Sequence, residues 1–324
     1  MPKRHGNLFE TMFTPDALYK AYLSSRKRKR KKSAVYKFEK DLGANLSRLH
    51  QELQDGSYNP RPYKTFYVHD PKPRLIFAPH FRDVVVQHAM YSVLYPIMDK
   101  TFCFESFGCR LGKGTHRAAD RAQDYLRQSP EGSYILQFDV RKYFYRIDRD
   151  ILQSLWAKKI KDTRVLGLVK TFAEYPDKTG IPIGNLLSQL GALIYLNPLD
   201  HYIKRDLKVE RYVRYVDDFI LFGLSVDKAK QFRDVISQWL SENLKLELSK
   251  WIIQPVKRGV NFVGFRTWRK TRFVRKRAMY NFNTSLKNGK LASVKSSLSH
   301  AINTASHRHF LRQIDEASLC ISTQ

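Results

Sequence analysis

Val213-Arg214-Tyr215-Val216-Asp217-Asp218-Phe219-Ile220-Leu221-Phe222-Gly223 sets two apolar runs on either side of an adjacent pair of aspartates. Aromatic and β-branched runs broken by turn-forming residues predict a short buried hairpin with two carboxylates at its tip. Two like charges held together there are costly unless a cation neutralises them. Carboxylate oxygens suit Mg²⁺, which takes one or two carboxylates plus substrate phosphates. By itself the pair reads equally well as a solvated turn, because Asp is a favoured turn residue. The surrounding sequence decides.

Working upstream, Tyr134-Ile135-Leu136-Gln137-Phe138-Asp139-Val140 is a buried-type strand with an aspartate near its end, 78 residues (217 − 139) before the pair. A helix follows to about Lys159, and another spans Thr163 to Phe172. Gly180 to Gln189 is a Gly/Pro turn ahead of a long helix ending near Arg205. Downstream, a helix from Asp227 to Leu244 leads to two strands, Lys245 to Val256 and Gly259 to Phe265. Carboxylates delivered by separate strands are what nucleotide polymerisation requires, since two ions about 4 Å apart must clamp the attacking and leaving oxygens. Asp139, Asp217 and Asp218 form that set.

Nearer the start, Leu8 to Leu23 and Val35 to Leu53 have helical spacing. Tyr63 to Val68 and Pro71 to Phe77 form a basic hairpin, and Arg82 to Met98 a helix ending near Pro96. Gly108 to Gly114 is a glycine-punctuated loop, but its spacing is wrong for a phosphate-cradling P-loop. Between the first two helices lie seven consecutive basic residues, Arg26, Lys27, Arg28, Lys29, Arg30, Lys31 and Lys32. Such a block self-repels and predicts an unstructured segment that docks on phosphates.

Lys and Arg total 58 against 30 Asp and Glu, a net charge of +28 over 324 residues. An excess of this size points to a polyanion, either nucleic acid or an anionic membrane surface; no apolar run of about 18 residues offers a spanning helix, and nucleic acid is the expected partner. No apolar stretch follows Met1, which argues against a secretory signal. Three scattered cysteines make neither a disulfide framework nor a zinc site and read as reduced thiols in a cytoplasm.

From about Tyr63 to Phe265 the chain resembles a reverse transcriptase. The matching motifs are Pro-Lys-Pro-Arg-Leu-Ile at 71–76, Arg82 to Gln87, the strand ending in Asp139, Phe144, the turn at 181–189, the Tyr-Val-Asp-Asp hairpin and Gly259 to Phe265. Ile183-Gly184-Asn185 with Ser188-Gln189 departs from the family's usual Gln-Gly and Ser-Pro. That variant is similar to the reverse transcriptases of diversity-generating retroelements, as are the chain length and Lys113-Gly114-Thr115-His116.

The resemblance implies an α+β, right-hand polymerase fold with fingers, an antiparallel palm sheet and a thumb. The expected division is a basic arm at 1–34, fingers at 35–133 and 161–183, palm at 134–160 and 184–265, and thumb at 266–324. Asp139, Asp217 and Asp218 would hold two Mg²⁺ ions, or Mn²⁺ in their place, with help from the Val140 carbonyl. Lys72 and Arg74, with main chain near Lys142 and Tyr143, would hold the triphosphate. Phe144 would gate the sugar, and Ile183 and Gly184 would lie against the nascent pair. Gly259, Val260, Asn261, Phe262, Val263, Gly264 and Phe265 would grip the primer. The implied partners are a template RNA, its hybrid with cDNA, dNTPs and a small basic oligomeric accessory protein, in the cytoplasm of a bacterial or phage-infected cell. The implied activity is error-prone copying of RNA at adenines for gene diversification. A retron- or intron-type enzyme, and a non-catalytic RNA-binding protein, are the alternatives.

Overall fold

The computed structural model describes residues 3–69 and 73–322, with side chains to residue 317; Lys72 lies outside the described residues. In chain order the helices are α1 Leu8–Met12, α2 Pro15–Arg26, α3 Ser33–Glu39, α4 Leu42–Gln54, α5 Phe81–Asp99, α6 Thr115–Gln128, α7 Tyr143–Arg146, α8 Arg149–Ala157, α9 Thr163–Phe172, α10 Leu186–His201, α11 Val226–Leu244, α12 Lys276–Lys287, α13 Leu291–Ala301 and α14 Ser306–Ser322. The strands are β1 Lys64–His69, β2 Pro73–Ala78, β3 Tyr134–Val140, β4 Tyr212–Tyr215, β5 Asp218–Leu224, β6 Leu248–Pro255, β7 Val260–Phe262, β8 Phe265–Thr267 and β9 Arg272–Val274. They form two compact units, each discontinuous in sequence.

The first unit comprises residues up to Cys103, Arg141–His201 and Trp239–Glu247. Its start is folded rather than an extended arm, because Phe9, Met12, Phe13, Leu18 and Tyr22 are buried. The helix expected over Leu8 to Leu23 breaks at Thr14-Pro15. The Thr14 hydroxyl accepts from the Ala17 amide at 3.1 Å and Pro15 takes the first helical position, so a new helix starts there. The stretch expected as one helix over Val35 to Leu53 likewise divides into α3 and α4. The basic run is a chain of hydrogen-bonded turns, Lys29 N to Arg26 O and Lys32 N to Lys29 O, rather than an unstructured segment. Its first member is structural: Arg26 pairs with Glu39 at 2.8 Å and lies over the Tyr22 ring. Residues 27 to 32 are all exposed.

At the centre of this unit lies α10, apolar almost all round and correspondingly buried. Asn185 caps it from a fully buried position. Its Oδ1 accepts from the Leu187 and Ser188 amides, while Nδ2 donates to Tyr63 Oη and Phe172 O. Every polar atom of that side chain is used, which is what makes its burial tolerable.

The second unit comprises Phe104–Val140, Tyr202–Gln238 and the chain from Leu248. A four-stranded antiparallel sheet runs in the order β4-β5-β3-β6. Its buried face packs on α6 through Ala118, Ala122, Leu126, Ile135, Val213 and Ile220. Gly259 to Phe265, expected as one strand, is a hairpin instead: β7 ends at Phe262, the chain turns at Val263-Gly264, β8 pairs back on β7, and β9 then pairs with β8. Gly264 takes φ 92 at that turn, a conformation glycine adopts without penalty. A separate core of Phe265, Val274, Phe282, Val294 and Phe310 holds α12, α13 and α14 to this hairpin, with the Phe282 and Phe310 rings stacked at 3.8 Å. No described helix is long and apolar enough to cross a membrane.

Candidate active site

The antiparallel register brings the carboxylates together. Asp139 on β3 is the direct cross-strand partner of Asp218 on β5, and Tyr215 pairs with Asp218 to close a two-residue turn of Val216 and Asp217. Residues 78 or 79 apart in sequence thereby become neighbours with Cα atoms about 5 Å apart. The Val140 amide donates to the Asp217 carbonyl, tying the turn to the end of β3.

That turn carries strain. Val216 has φ 57, where a β-branched residue is disfavoured. Two features hold it. A side chain on Gly108 would lie 2.5 Å from Val216 Cγ2 and 2.7 Å from its amide, so only glycine lets the 104–114 loop pack this closely. Fully buried Arg214 donates to the Val216 carbonyl at 2.9 Å, while its own main chain is paired with Glu105 and Phe107.

Asp218 is hemmed in by its surroundings. Burial pushes its carboxyl up to about 7, the Gln137 hydrogen bond opposes this, and the charges of Asp139 and Asp217 add to the rise. Gln137 precedes Asp139 by two positions and so shares its face of the strand. Its amide nitrogen donates to Asp218 Oδ1 at 2.9 Å and to the Asn261 carbonyl at 3.0 Å, joining a carboxylate to the β7 hairpin. Ser249 Oγ donates to Asp139 Oδ2. Among the described residues, no three His, Cys, Asp or Glu side chains converge closely enough to hold one ion as they stand. The donor set is nevertheless all oxygen, and an acid driven to about 7 by burial and two like charges is relieved by a divalent cation. The residues fit a hard metal ion. Asp139 and Asp218 open into a cavity of about 760 Å³ that Lys250, Asn261, Arg275 and Arg277 also line.

The other expected contacts lie in the first unit. Arg74 is exposed on β2, opposite Val68. The main chain of 180–183 is anchored on both sides: Gly180 N donates to Ile147 O, Ile181 N to Phe144 O, and Ile183 O accepts from Phe77 N at 2.7 Å. This places Phe144, Ile183, Gly184 and β2 in one hydrogen-bonded strip. Phe144 and Ile183 are half-buried, and Gly184 is exposed with φ 109. Tyr143 is buried with its hydroxyl donated to Ala192 O, so only its main chain is left for a ligand. Lys142 is exposed in a left-handed conformation, φ 47. Gln137, Ser249, Gly108 and Arg214 were not among the residues the sequence singled out. For Gln137 the period-2 relation to Asp139 was a readable signal; the other three depend on tertiary contacts.

An antiparallel sheet that presents aspartates from two adjacent strands, followed by a short hairpin and a helical segment, is the palm of a template-directed polymerase. The chain belongs to the reverse transcriptase (RNA-dependent DNA polymerase) family, whose model matches residues 68–267. It is 27% identical to Protein YkfC of Escherichia coli over 286 residues, 74% of each chain. It is 28% identical to the group II intron-encoded protein LtrA of Lactococcus lactis over 211 residues, which is 60% of this chain and 35% of that protein. The fold also resembles that of telomerase from Candida albicans, solved with a fragment of telomeric RNA: TM-score 0.52 at 13% identity, covering 83% of this chain and 58% of that one. Telomerase from Candida tropicalis gives a TM-score of 0.51 at 14% identity.

Proposed function

We propose that this reverse transcriptase copies a template RNA into cDNA with elevated error opposite adenine, in the service of gene diversification. The observation that carries the polymerase reading is the register of Asp139 against Asp218 with Asp217 in the adjoining turn. Asp139, Asp217 and Asp218, with the Val140 carbonyl, would hold two Mg²⁺ ions, and Mn²⁺ in their place. Bound there, the ions polarise the attacking and leaving oxygens of the transfer. Arg74 and the main chain at Lys142 and Tyr143 neutralise and orient the triphosphate. The Phe144 ring excludes a 2′-hydroxyl by bulk. Gly259 to Phe265 grips the primer, linked to Asp218 through Gln137.

The diversification reading rests on Ile183-Gly184-Asn185 and Ser188-Gln189. Isoleucine has neither donor nor acceptor. Apolar contacts discriminate by only about 1–3 kcal/mol, far less than a hydrogen-bonded readout of geometry. Fidelity at the nascent pair is therefore relaxed. The reading carries with it a structured template RNA, a small basic oligomeric accessory protein and a bacterial or phage-infected cytoplasm. The second reading, an intron-type enzyme without adenine-directed error, draws support from the similarity to LtrA and to a putative intron protein of Saccharomyces cerevisiae, 23% identical over 291 residues. Sequencing cDNA made on one defined RNA by wild type and by Ile183→Gln separates the two. The Ile183 carbonyl is fixed by Phe77, so the substitution changes the side chain without releasing the turn. Adenine errors that are high in wild type and fall in the variant support diversification; a flat, unchanged spectrum supports the intron type.

A further inference from the structure

A second cleft, about 810 Å³, opens at the other end of β3 from the carboxylates. Tyr134, where β3 begins, lines it, whereas Asp139 lies five residues along the strand, about 17 Å away at 3.3 Å per residue. Trp268 and Phe273, edge-to-face at 6.0 Å, belong to the walls of both cavities. Phe273 is 41% exposed.

The cleft is built rather than incidental. The turn from Trp268 to Thr271 is held by Gln123 Nε2 on the Trp268 carbonyl, Arg127 Nε on the Arg269 carbonyl, and Trp268 N on Thr271 O. Arg269 donates in return to Ser129 O. Gly259, at φ 66, lets Trp268 lie against the main chain, since a Cβ there would sit 3.0 Å from the indole. Lys257 and Lys270 stand exposed on the rim, and neither has a carboxylate partner among the described residues. Glu131 is the one acidic residue lining the cleft.

An exposed aromatic, Phe273, bordered by unpaired cations fits a ligand that is planar and anionic at regular intervals. We propose that this cleft is a second, single-stranded nucleic-acid site, in which a base stacks on Phe273, beside the Trp268 ring that Arg266 covers at 5.0 Å, while Lys257 and Lys270 meet the phosphates. At about 3.4 Å per stacked base, the 17 Å along β3 corresponds to about five nucleotides from the carboxylates. A strand tail of that length or more therefore reaches from one cavity to the other past their shared aromatic wall.

The test measures binding without dNTPs, so it is decided whether or not the polymerase reading holds. Affinity of the full chain is measured by anisotropy for an RNA–DNA hybrid with blunt ends and for the same hybrid carrying an eight-nucleotide single-stranded tail. Wild type is expected to bind the tailed hybrid about tenfold more tightly. Lys257→Glu combined with Lys270→Glu should erase that gain and leave blunt-hybrid affinity within about twofold. Photocrosslinking of a halouridine-substituted tail should map to 257–273. Both lysines are exposed, so the double variant keeps the fold and tests the cleft directly. A gain that persists in the lysine variant, no gain in wild type, or competition by a free mononucleotide alone would overturn the assignment.

Discussion

Replacing Asp218 with Asn should make the metal-free protein more stable while abolishing DNA synthesis. The carboxyl is pushed from its usual 3.8 up to about 7, chiefly by burial and further by Asp139 and Asp217. At 1.36 kcal/mol per pH unit that corresponds to about 4 kcal/mol, and we expect roughly 2–4 kcal/mol to be recovered. The sign follows from proton linkage. Below pH 3.8 the acid is protonated in both folded and unfolded chains and contributes nothing. Between 3.8 and about 7 the unfolded chain gives up its proton first, so stability falls as pH rises, and above about 7 the whole penalty stands. Asparagine retains an oxygen to accept the Gln137 hydrogen bond, so that contact survives. With an unfolding entropy of about 2.1 cal/mol/K per residue over the chain, the gain amounts to about 5 °C in Tm. The assay is thermal unfolding in EDTA at pH 5 and pH 8. The gap between variant and wild type should be large at pH 8 and should shrink by more than half at pH 5. Adding Mg²⁺ at pH 8 should raise wild type toward the variant and leave the variant unmoved. An equal gap at both pH values, or a variant less stable than wild type at pH 8, would refute the reasoning.

Phe144→Ala should raise ribonucleotide incorporation by an order of magnitude or more in primer extension; unchanged sugar selectivity would make the ring a packing element only. Asn185→Ala removes the cap of α10 and leaves buried partners unpaired, which should cost about 2–4 kcal/mol in urea unfolding, against the few tenths expected of a dispensable cap. RNA affinity should fall on the order of a thousandfold between 50 and 200 mM salt if about six phosphates are neutralised, and neutralising Lys27 to Lys32 should flatten that slope. An unchanged slope would leave the run a solvated turn.

Much of the site is legible one residue at a time. The alternation in Tyr134 to Val140 and the apolar runs flanking Asp217-Asp218 identify strands through their period, and the charge excess identifies a polyanionic partner. The Thr14-Pro15 break was readable as well, from a capping hydroxyl ahead of a proline. The Gly259 to Phe265 stretch reads as one strand because it is rich in Val and Phe, and only Val263-Gly264 at positive φ folds it back.

The sequence by itself determines which side chains are present: three carboxylates at 139, 217 and 218, an aromatic at Phe144 and an isoleucine at 183. Tertiary structure decides how they meet. The pairing of Asp139 with Asp218 is a register between strands some 80 residues apart, chosen by burial of one face of each strand. The left-handed Val216 is contrary to local preference and persists because Gly108 packs beneath it and Arg214 holds its carbonyl. Gly108 comes from a distant segment, and Arg214, only two residues away, is fixed by its own main-chain pairing with Glu105 and Phe107, which no local pattern records.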